Sequence, residues 1–433
     1  MLRDIFGAVF CLFDKKRCDD NCSVSVVIPA LNGRKDLSIL LPAIKKQSGI
    51  KEIEIIIVDS GSKDGTIQAA KKNGARVIRI PKKEFSHDHA RNLGTSKARH
   101  EYLLFLTQDV LIPTKDWLLK MLKGMEKYHA SAASCIETPR KDADMFSRIS
   151  VWNHNRFMEL GNKDRVLSLP GKKDYESLRM NSQLSDVACL IRKDIFDKFQ
   201  FRTGFAEDVD LGLRLIKGGY RLALLSSAQV IHSHNRSPLQ HLKRAYTDTI
   251  FMKRIFANFY TPDISPKDAI NDIVLSYILV QDLTAYITNR KIVPCSPNKL
   301  LDETLKRLRY LRARPFLSAE QDGNILAIDE LSAFLVQLKR IAGKASRSSR
   351  KRLTFSLIIY LNGITRKYIK KHVRHLNEGM LMDYINNIWR GYAFKAGQYL
   401  AYAYIAHKNN KIIKKIHKLI FDQRLKKADL KVL

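Results

Sequence analysis

Short apolar runs alternate with amphipathic segments along the first 140 residues of the chain. Runs such as VSVVIP (24–29) and EIEIIIVD (52–59) have the length and β-branched content of buried strands. Segments between them, such as LSILLPAIKKQ (37–47), repeat their apolar residues at the three- and four-residue spacing of a helix. Because short loops join these elements, the pattern predicts an α/β fold on a mainly parallel sheet.

This alternation changes twice further along the chain. Residues 139–182 are polar and predict loops and short helices over the sheet, and the strand–helix rhythm returns with SDVACLIRKDIF (185–196). Beyond Pro238 the periodicity is helical almost throughout. We therefore expect four parts: an N-terminal segment (1–22), an α/β domain (23–258), a helical region (259–340) and a basic helical C-terminal region (341–433).

Positive charge is concentrated at the C-terminus. Of a net charge of +33, residues 331–433 contribute +19, with 23 Lys and Arg against 4 Asp and Glu. Such a surface attracts polyanions, whether nucleic acid, an anionic membrane face or phosphorylated substrates. The last segment also places Ile412, Ile416, Leu419 and Ile420 on one helical face opposite lysines. Docking on an anionic membrane and an ordinary solvated face are equally consistent with this pattern.

The sequence shows no export or membrane-spanning signal. The stretch MLRDIFGAVFCLF (1–13) contains an acid and lacks a small-residue cleavage site, and no run reaches the roughly 18 apolar residues of a membrane span. The six cysteines lack zinc-site spacing and are expected to be free thiols, with Cys135 and Cys189 in the core. We expect a cytoplasmic protein, and leave open a peripheral contact with the inner face of the cell membrane.

Polar residues collect where the expected strands end. Asp59 closes the second strand, Asp109 follows the fourth, and HSHN (232–235) follows the last. The stretch FAEDVD (205–210) places three acids at the start of an amphipathic helix. Ligands of open parallel sheets bind beyond the carboxyl ends of the strands. A single acid at a strand end is usually a turn or cap residue, but several at one edge predict a functional site.

Six motifs occur in order along this part of the chain. They are DSGSKDGT (59–66), FSHDHARNLG (85–94), FLTQDV (105–110), FAEDVD (205–210), HSHN (232–235) and the basic helix LQHLKRAYTD (239–248). Together they resemble glycosyltransferase family 2, the inverting, nucleotide-sugar-dependent enzymes of the GT-A fold, and most closely its rhamnosyltransferase-like group. The resemblance covers about residues 23–250. It implies a Rossmann-like, mainly parallel sheet flanked by helices, followed here by a mostly α-helical basic C-terminal region.

The resemblance implies a donor site at the first strand ends. Asp59 would accept a hydrogen bond from the N–H edge of the nucleotide base, and the main chain near Pro29 and Ala30 would line the same pocket. Arg91 would reach the diphosphate, because a planar guanidinium pairs well with phosphate oxygens. The usual Gly-Gly after the family histidine is replaced by Asp88 and His89, which leaves the donor sugar open.

A divalent cation is implied beside this donor site. Asp109 matches the second acid of the family's Asp-x-Asp metal site, whereas Thr107 replaces the first acid, as in the rhamnosyltransferase-like group. Mg²⁺ or Mn²⁺ bound there would neutralise charge on the leaving nucleotide. His232 or His234 would complete the site. Because alternate residues of a strand point to opposite faces, we expect only one of them to bind and favour His232.

The acids of FAEDVD are implied to serve the acceptor. Asp208, the second acid of the Glu-Asp pair, would be the general base that takes the proton from the acceptor hydroxyl. Its position at a helix N-terminus favours the ionised form. Glu207 and Asp210 either orient the acceptor or are plain N-terminal acids of the helix.

These residues predict an inverting glycosyltransferase of surface polysaccharide synthesis. Its donor would be a dTDP- or UDP-sugar, rhamnose or another deoxyhexose, and its acceptor a hydroxyl of a glycan or of a lipid-linked glycan. The alternative is a catalytically silent GT-A-fold protein whose basic C-terminal half binds a polyanion such as nucleic acid. The intact set of Asp59, Asp109 and Asp208 argues against this alternative.

Overall fold

The computed structural model describes residues 22–161, 163–289, 296–313, 325, 328–342, 352–375 and 377–421. These residues form two compact units. The first contains the described residues up to Thr138 together with Met158–His232, and the second contains Pro139–Phe157 and the described residues from Ser233 onwards. Residues 139–157 and 233–258, which the sequence places in the α/β domain, thus group with the second unit. The four-part division stays a prediction.

An eight-stranded sheet forms the centre of the first unit. In chain order its strands are β1 (Ser23–Ala30), β2 (Glu52–Asp59), β3 (Arg76–Arg79), β4 (Tyr102–Leu106), β5 (Ala132–Thr138), β6 (Arg165–Leu167), β7 (Ala188–Arg192) and β8 (Leu222–Ile231). Their spatial order is β3-β2-β1-β4-β7-β5-β8-β6. Only β6 and β7 run antiparallel to their neighbours. The predicted mainly parallel α/β sheet is confirmed, although β6 falls in a stretch that predicted loops and short helices.

Helices cover both faces of this sheet. They are α1 (Arg34–Lys45), α2 (Thr66–Lys72), α3 (His87–Thr95), α4 (Trp117–Lys127), α6 (Tyr175–Asn181), α7 (Lys193–Phe199) and α8 (Glu207–Lys217), whereas α5 (Met145–Phe157) belongs to the second unit. Ile55 and Ile57 of β2 pack in one core with α1 and α4. Val58, which points the other way, packs with Ala90 of α3. The continuous apolar character of the strands reflects this burial on two sides.

Helix α8, which carries the three acids, lies very close to the turn after α6. A Cβ atom at Gly212 would lie 2.1 Å from the carbonyl oxygen of Ser182. Only glycine, which has no side chain, allows the two backbones to approach this closely. The close approach fixes the middle of α8 relative to the segment that leads into β7.

The second unit is helical, as predicted. Its further helices are α9 (Pro238–Ile255), α10 (Pro266–Asn289), α11 (Pro297–Ala313), α12 (Glu330–Ala342), α13 (Arg352–Tyr360), α14 (Arg366–His372), α15 (Glu378–Ala406) and α16 (Lys411–Phe421). A π-helical turn at Leu361–Thr365 joins α13 to α14. Helices α9 and α15 pack so closely that a Cβ atom at Gly397 would lie 2.1 Å from the carbonyl oxygen of Leu242. Among the described residues, no helix has both the length and the apolar character of a membrane span.

The cysteine prediction is confirmed only in part. Cys135 and Cys189 are buried free thiols in the first unit. Cys22 forms a disulfide, so the prediction of a free thiol is wrong for this residue. Cys11, Cys18 and Cys295 lie outside the described residues.

Candidate active site at the carboxyl edge of the sheet

The strand ends that the sequence singles out meet at one edge of the sheet. Strands β1, β2, β4, β5 and β8 are mutually parallel, so their carboxyl ends lie on the same side. Strand β7 runs the opposite way between β4 and β5 and pairs Ala188 with Leu106, the last residue of β4. The residues that precede β7, Ser185 and Asp186, therefore lie at the same edge.

Asp59 is positioned as a buried acceptor at this edge. Its side chain is inaccessible to solvent, and Oδ1 accepts main-chain N–H groups from Gly61 (3.0 Å) and Ser62 (3.1 Å). Oδ2 is buried and has no hydrogen-bond partner among the described residues. A buried acceptor without a donor costs free energy, which a ligand N–H would recover. The Ala30 carbonyl beside it accepts the Ser60 N–H at 3.0 Å.

The loop after β1 is tied to the loop after β4. The Gln108 side chain accepts the Leu31 N–H at 2.9 Å and donates to the Leu31 carbonyl at 3.3 Å. Asn32, which has a left-handed φ of 49°, accepts the Lys63 N–H at 2.9 Å through its side chain. These hydrogen bonds fix the main chain that follows Pro29 and Ala30, where the sequence predicts the nucleotide pocket.

Asp109, His232 and His234 form a cluster of metal-ligand type. Each contributes one ligand atom, and these atoms all lie within 4.8 Å of one another. His232 Nε2 lies 3.6 Å from Asp109 Oδ1. Because β8 ends at Ile231, both histidines belong to the loop beyond it. The expectation that only one histidine binds rests on the alternation of side chains along a strand. It therefore does not apply to these two loop residues.

Glu137 orients the first of these histidines. Its Oε2 lies 3.2 Å from His232 Nδ1, and its Oε1 accepts the Ser185 hydroxyl at 2.7 Å. A carboxylate at Nδ1 holds the proton there and leaves Nε2 as the basic nitrogen. One carboxylate and two imidazoles suit Mn²⁺ better than Mg²⁺, which prefers oxygen ligands. The donor set therefore fits the implied cation.

Arg91 is buried between two carboxylates. Its side chain is 1% exposed and forms ion pairs at 2.6 Å with Asp186 Oδ2 and at 2.6 Å with Glu207 Oε1. Its guanidinium is therefore turned toward these acids, and a diphosphate could contact it only if the ion pairs rearranged. The contact between Arg91 and the diphosphate stays a prediction. The structure adds a second role, because this buried cation balances acids beside Asp208.

Asp208 is half-buried at the start of α8. Its Oδ1 accepts the Val209 N–H at 2.8 Å, and its Oδ2 accepts the Asp186 N–H at 3.3 Å. Burial, followed by the charge of Asp186, raises the pKa of Asp208 to about 7. Burial and Asp186 also raise the pKa of Glu207, to about 8, against the effect of Arg91. The helix N-terminus thus does not hold Asp208 ionised below neutral pH, because burial and a like charge outweigh it.

Asp210 and the loop before α8 complete this side of the site. Asp210 Oδ2 accepts the Arg202 side chain at 3.1 Å and the Arg214 side chain at 2.7 Å, which joins the loop to the helix. Thr203 and Ala206 have φ angles of 92° and 54°. Such angles cost non-glycine residues energy and persist only where surrounding contacts impose them.

One of these contacts involves Asp88. Its Oδ2 accepts the N–H of Gly204 at 3.1 Å, within the loop that precedes α8. Asp88 is one of the two residues that depart from the family's Gly-Gly. In this protein its carboxylate therefore supports the loop that precedes α8.

The sequence analysis missed Glu137, Asp186 and Gln108. Glu137 lies at the carboxyl end of β5 and Gln108 directly after β4, so a systematic reading of every strand end would have identified both. Asp186 precedes an antiparallel strand, and its position at this edge follows only from the direction of β7.

The chain has relatives of known family. Residues 25–187 match a family model described as Glycosyl transferase family 2. The chain carries a family 2 glycosyltransferase domain. This glycosyltransferase is 29% identical over 234 residues to the O-antigen chain rhamnosyltransferase RfbN of Salmonella typhimurium, which covers 53% of this chain and 72% of the relative. It is 28% identical over 235 residues to the O-antigen chain rhamnosyltransferase WbaN of Salmonella anatum, with the same coverage of 53% and 72%.

Two solved structures show limited similarity to this chain. The mannosyltransferase PcManGT from Pyrobaculum calidifontis, in complex with GDP-Man and Mn²⁺, is 15% identical to this glycosyltransferase, with a TM-score of 0.41 over 81% of this chain and 87% of that one. S. aureus TarS 1-349 is 17% identical, with a TM-score of 0.39 over 81% and 92%. The resemblance to glycosyltransferase family 2 is confirmed by the family match and the curated relatives.

Proposed function

We propose that this glycosyltransferase transfers a sugar with inversion from a nucleoside diphosphate donor to a hydroxyl of a glycan or lipid-linked acceptor in surface polysaccharide synthesis. The observation that carries the proposal is the position of a carboxylate with a raised pKa, Asp208, at the sheet edge that also holds Asp109, His232 and His234. The names of the two Salmonella relatives support rhamnose or another deoxyhexose as the donor sugar.

The donor base occupies the pocket at the ends of β1 and β2 in this proposal. The free Oδ2 of Asp59 accepts the imide N–H of uracil or thymine, and the main chain at Pro29 and Ala30 lines the pocket. This assignment satisfies the carboxylate oxygen of Asp59 that has no donor among the described residues. It accounts for a dTDP- or UDP-linked donor, because both pyrimidines present an imide N–H.

Asp109, His232 and His234 would hold the divalent cation. A bound Mn²⁺ or Mg²⁺ neutralises charge on the leaving nucleoside diphosphate. Glu137 keeps the proton on Nδ1 of His232, so Nε2 presents its lone pair to the site. Arg91 remains the residue that is predicted from the sequence to contact the diphosphate.

Asp208 is the general base in this proposal. It takes the proton of the acceptor hydroxyl while that oxygen forms a bond to the anomeric carbon and the bond to the diphosphate oxygen breaks. A pKa of about 7 suits this step, since a base is most effective when its pKa lies near the working pH. Glu207 and Asp210 hold the start of α8 through Arg91, Arg202 and Arg214, and in this way orient the acceptor side.

Thermal unfolding with a panel of nucleotides tests the donor assignment. We expect dTDP and UDP, and sugars linked to them, to raise the melting temperature more with Mn²⁺ than with EDTA, because a ligand of the native state stabilises it by about 2.7 kcal/mol at 100 times its dissociation constant. GDP should give a smaller shift, and Asp59→Asn should remove the preference for pyrimidines. The proposal fails if no nucleotide raises the melting temperature.

The lysines of α16 support a peripheral contact with an anionic membrane. Lys411, Lys414, Lys415 and Lys418 are exposed, while Ile413, Ile416, Leu419 and Ile420 are buried in the core of the second unit. Ile412, which the sequence places on the apolar face, is partly buried and packs against the same core, and Ile413 is fully buried beside it. Because the apolar face is already covered, the contact would be electrostatic, without insertion.

Flotation with vesicles tests this contact. We expect binding to vesicles rich in anionic lipid at low salt and release at high salt, since each lysine near such a surface contributes about 1 kcal/mol. The triple change of Lys414, Lys415 and Lys418 to Gln should weaken binding. The same change at Lys71, Lys72 and Lys123, exposed lysines of the first unit, is the matched control. Equal binding by the two triple variants would refute a role for α16.

A further inference from the structure

Asp186 connects the buried arginine to the proposed base. Its carboxylate pairs with Arg91 Nη2 at 2.6 Å, and its own main-chain N–H donates to Asp208 Oδ2 at 3.3 Å. Its side chain is 21% exposed, whereas that of Arg91 is 1% exposed. Asp186 thus lies at the open side of the cluster, between the cation and the carboxylate that would meet the acceptor.

The charges around Asp208 do not cancel. The charged and titratable groups that act on it, or on its carboxylate partners, are Arg91 of α3, Arg179 of α6, Asp186 before β7, Cys189 of β7 and Glu207 of α8. Arg91 lies 2.6 Å from both Asp186 and Glu207, so a single cation serves two carboxylates beside Asp208. The carboxylate of Asp186 therefore adds a negative charge that disfavours a second charge on Asp208, and groups coupled in this way titrate together.

We propose that Asp186 is a positioning residue for Asp208, an inference that rests on the proposed role of Asp208 as the base. Its N–H fixes one oxygen of Asp208, and its carboxylate supplies the negative charge that enables Asp208 to accept and hold the acceptor's proton near neutral pH. Without this charge, Asp208 is a weaker base. Asp186 does not touch the reacting atoms in this scheme and acts through Asp208.

The pH dependence of kcat/KM distinguishes this role from a purely structural one. In Asp186→Asn the amide oxygen can still accept from Arg91, and the main-chain N–H is unchanged. The substitution therefore removes the negative charge of the side chain and keeps its size. We expect the acid limb of the profile to move to lower pH by about one unit, with a lower plateau. Asp194→Asn, which removes an exposed carboxylate paired with Arg192 at 2.9 Å, should leave the limb in place. A lower rate at every pH with an unmoved limb would overturn the proposal.

A stability cycle tests the same coupling without transfer activity. Asp208→Asn should raise the melting temperature at pH 8 in the wild-type background and raise it less in the Asp186→Asn background. Equal gains in both backgrounds, with transfer abolished by Asp208→Asn, would overturn the inference while the proposed base stands. Full transfer by Asp208→Asn would overturn the proposed base, and the inference with it.

Discussion

Replacing Asp208 with asparagine should lower the rate of sugar transfer by about 10²- to 10⁴-fold and raise the melting temperature at pH 8. The rate falls because an amide cannot take the acceptor's proton, and proton transfer by a positioned base contributes about this factor. Stability rises because the variant no longer holds a half-buried charge beside Asp186. The amide oxygen can still accept the N–H groups of Val209 and Asp186.

The pH dependence of this stability gain has a definite sign. The folded-state pKa of Asp208, about 7, lies above the ordinary aspartate pKa of 3.8. The stability that this group contributes is therefore fully present below about pH 4 and is lost as the pH rises toward 7. The gain from Asp208→Asn should grow over that interval and level off above it. Melting curves from pH 4 to 8, with Asp194→Asn as control, measure this, and a lower melting temperature at pH 8 would contradict the raised pKa.

Replacing Asp109 with alanine should abolish the effect of metal. We expect Mn²⁺ to add nothing to the thermal shift given by dTDP or UDP, and transfer to fall by about 100-fold or more, because the cation is worth several kcal/mol of charge stabilisation. The thermal shift with nucleotide and EDTA should persist, since Asp59 and its loop are unchanged. An undiminished Mn²⁺ effect would show that the cluster with His232 and His234 does not hold the cation.

A second substitution tests a residue that orients a proposed metal ligand and is not itself a ligand. Glu137→Gln leaves Asp109 and both histidines in place but removes the carboxylate at Nδ1 of His232. Loss of such a supporting group typically weakens metal affinity by about 10- to 100-fold. The affinity for Mn²⁺ can be measured by titration with detection of the free ion. Unchanged affinity in Glu137→Gln would show that Glu137 does not orient His232.

Local periodicity was sufficient to predict most elements of this fold, although it missed β6. The two-sided burial of β1, β2 and β4 produces continuous apolar runs, and the spacing of Val209, Leu213 and Ile216 predicts α8. The rule that sites lie beyond parallel strand ends then brings Asp59, Asp109 and the histidines to one edge. These predictions depend on patterns within about ten residues.

The interactions that orient the site residues and set their charge state join residues that are far apart in sequence. Arg91 and Glu207 are 116 residues apart in sequence, and His232 and Glu137 are 95 apart. No local pattern encodes such pairs, and the reversed direction of β7 hides the position of Asp186. The charge state of Asp208 illustrates the same limit. Its place at a helix start is a local feature that favours ionisation, but tertiary burial and a distant carboxylate determine the outcome.

The division of the chain also affects how such enzymes can recombine. Helix α5 lies between segments of the first unit in sequence, yet its Phe146 ring lies 4.4 Å from that of His241 in α9, and its Met145 N–H donates to Asp383 of α15 at 2.9 Å. A chimaera of two relatives joined once, after β8, would take α5 from one parent and its packing partners from the other. Exchange of the helical unit as an intact block therefore needs at least two further junctions, one on each side of α5.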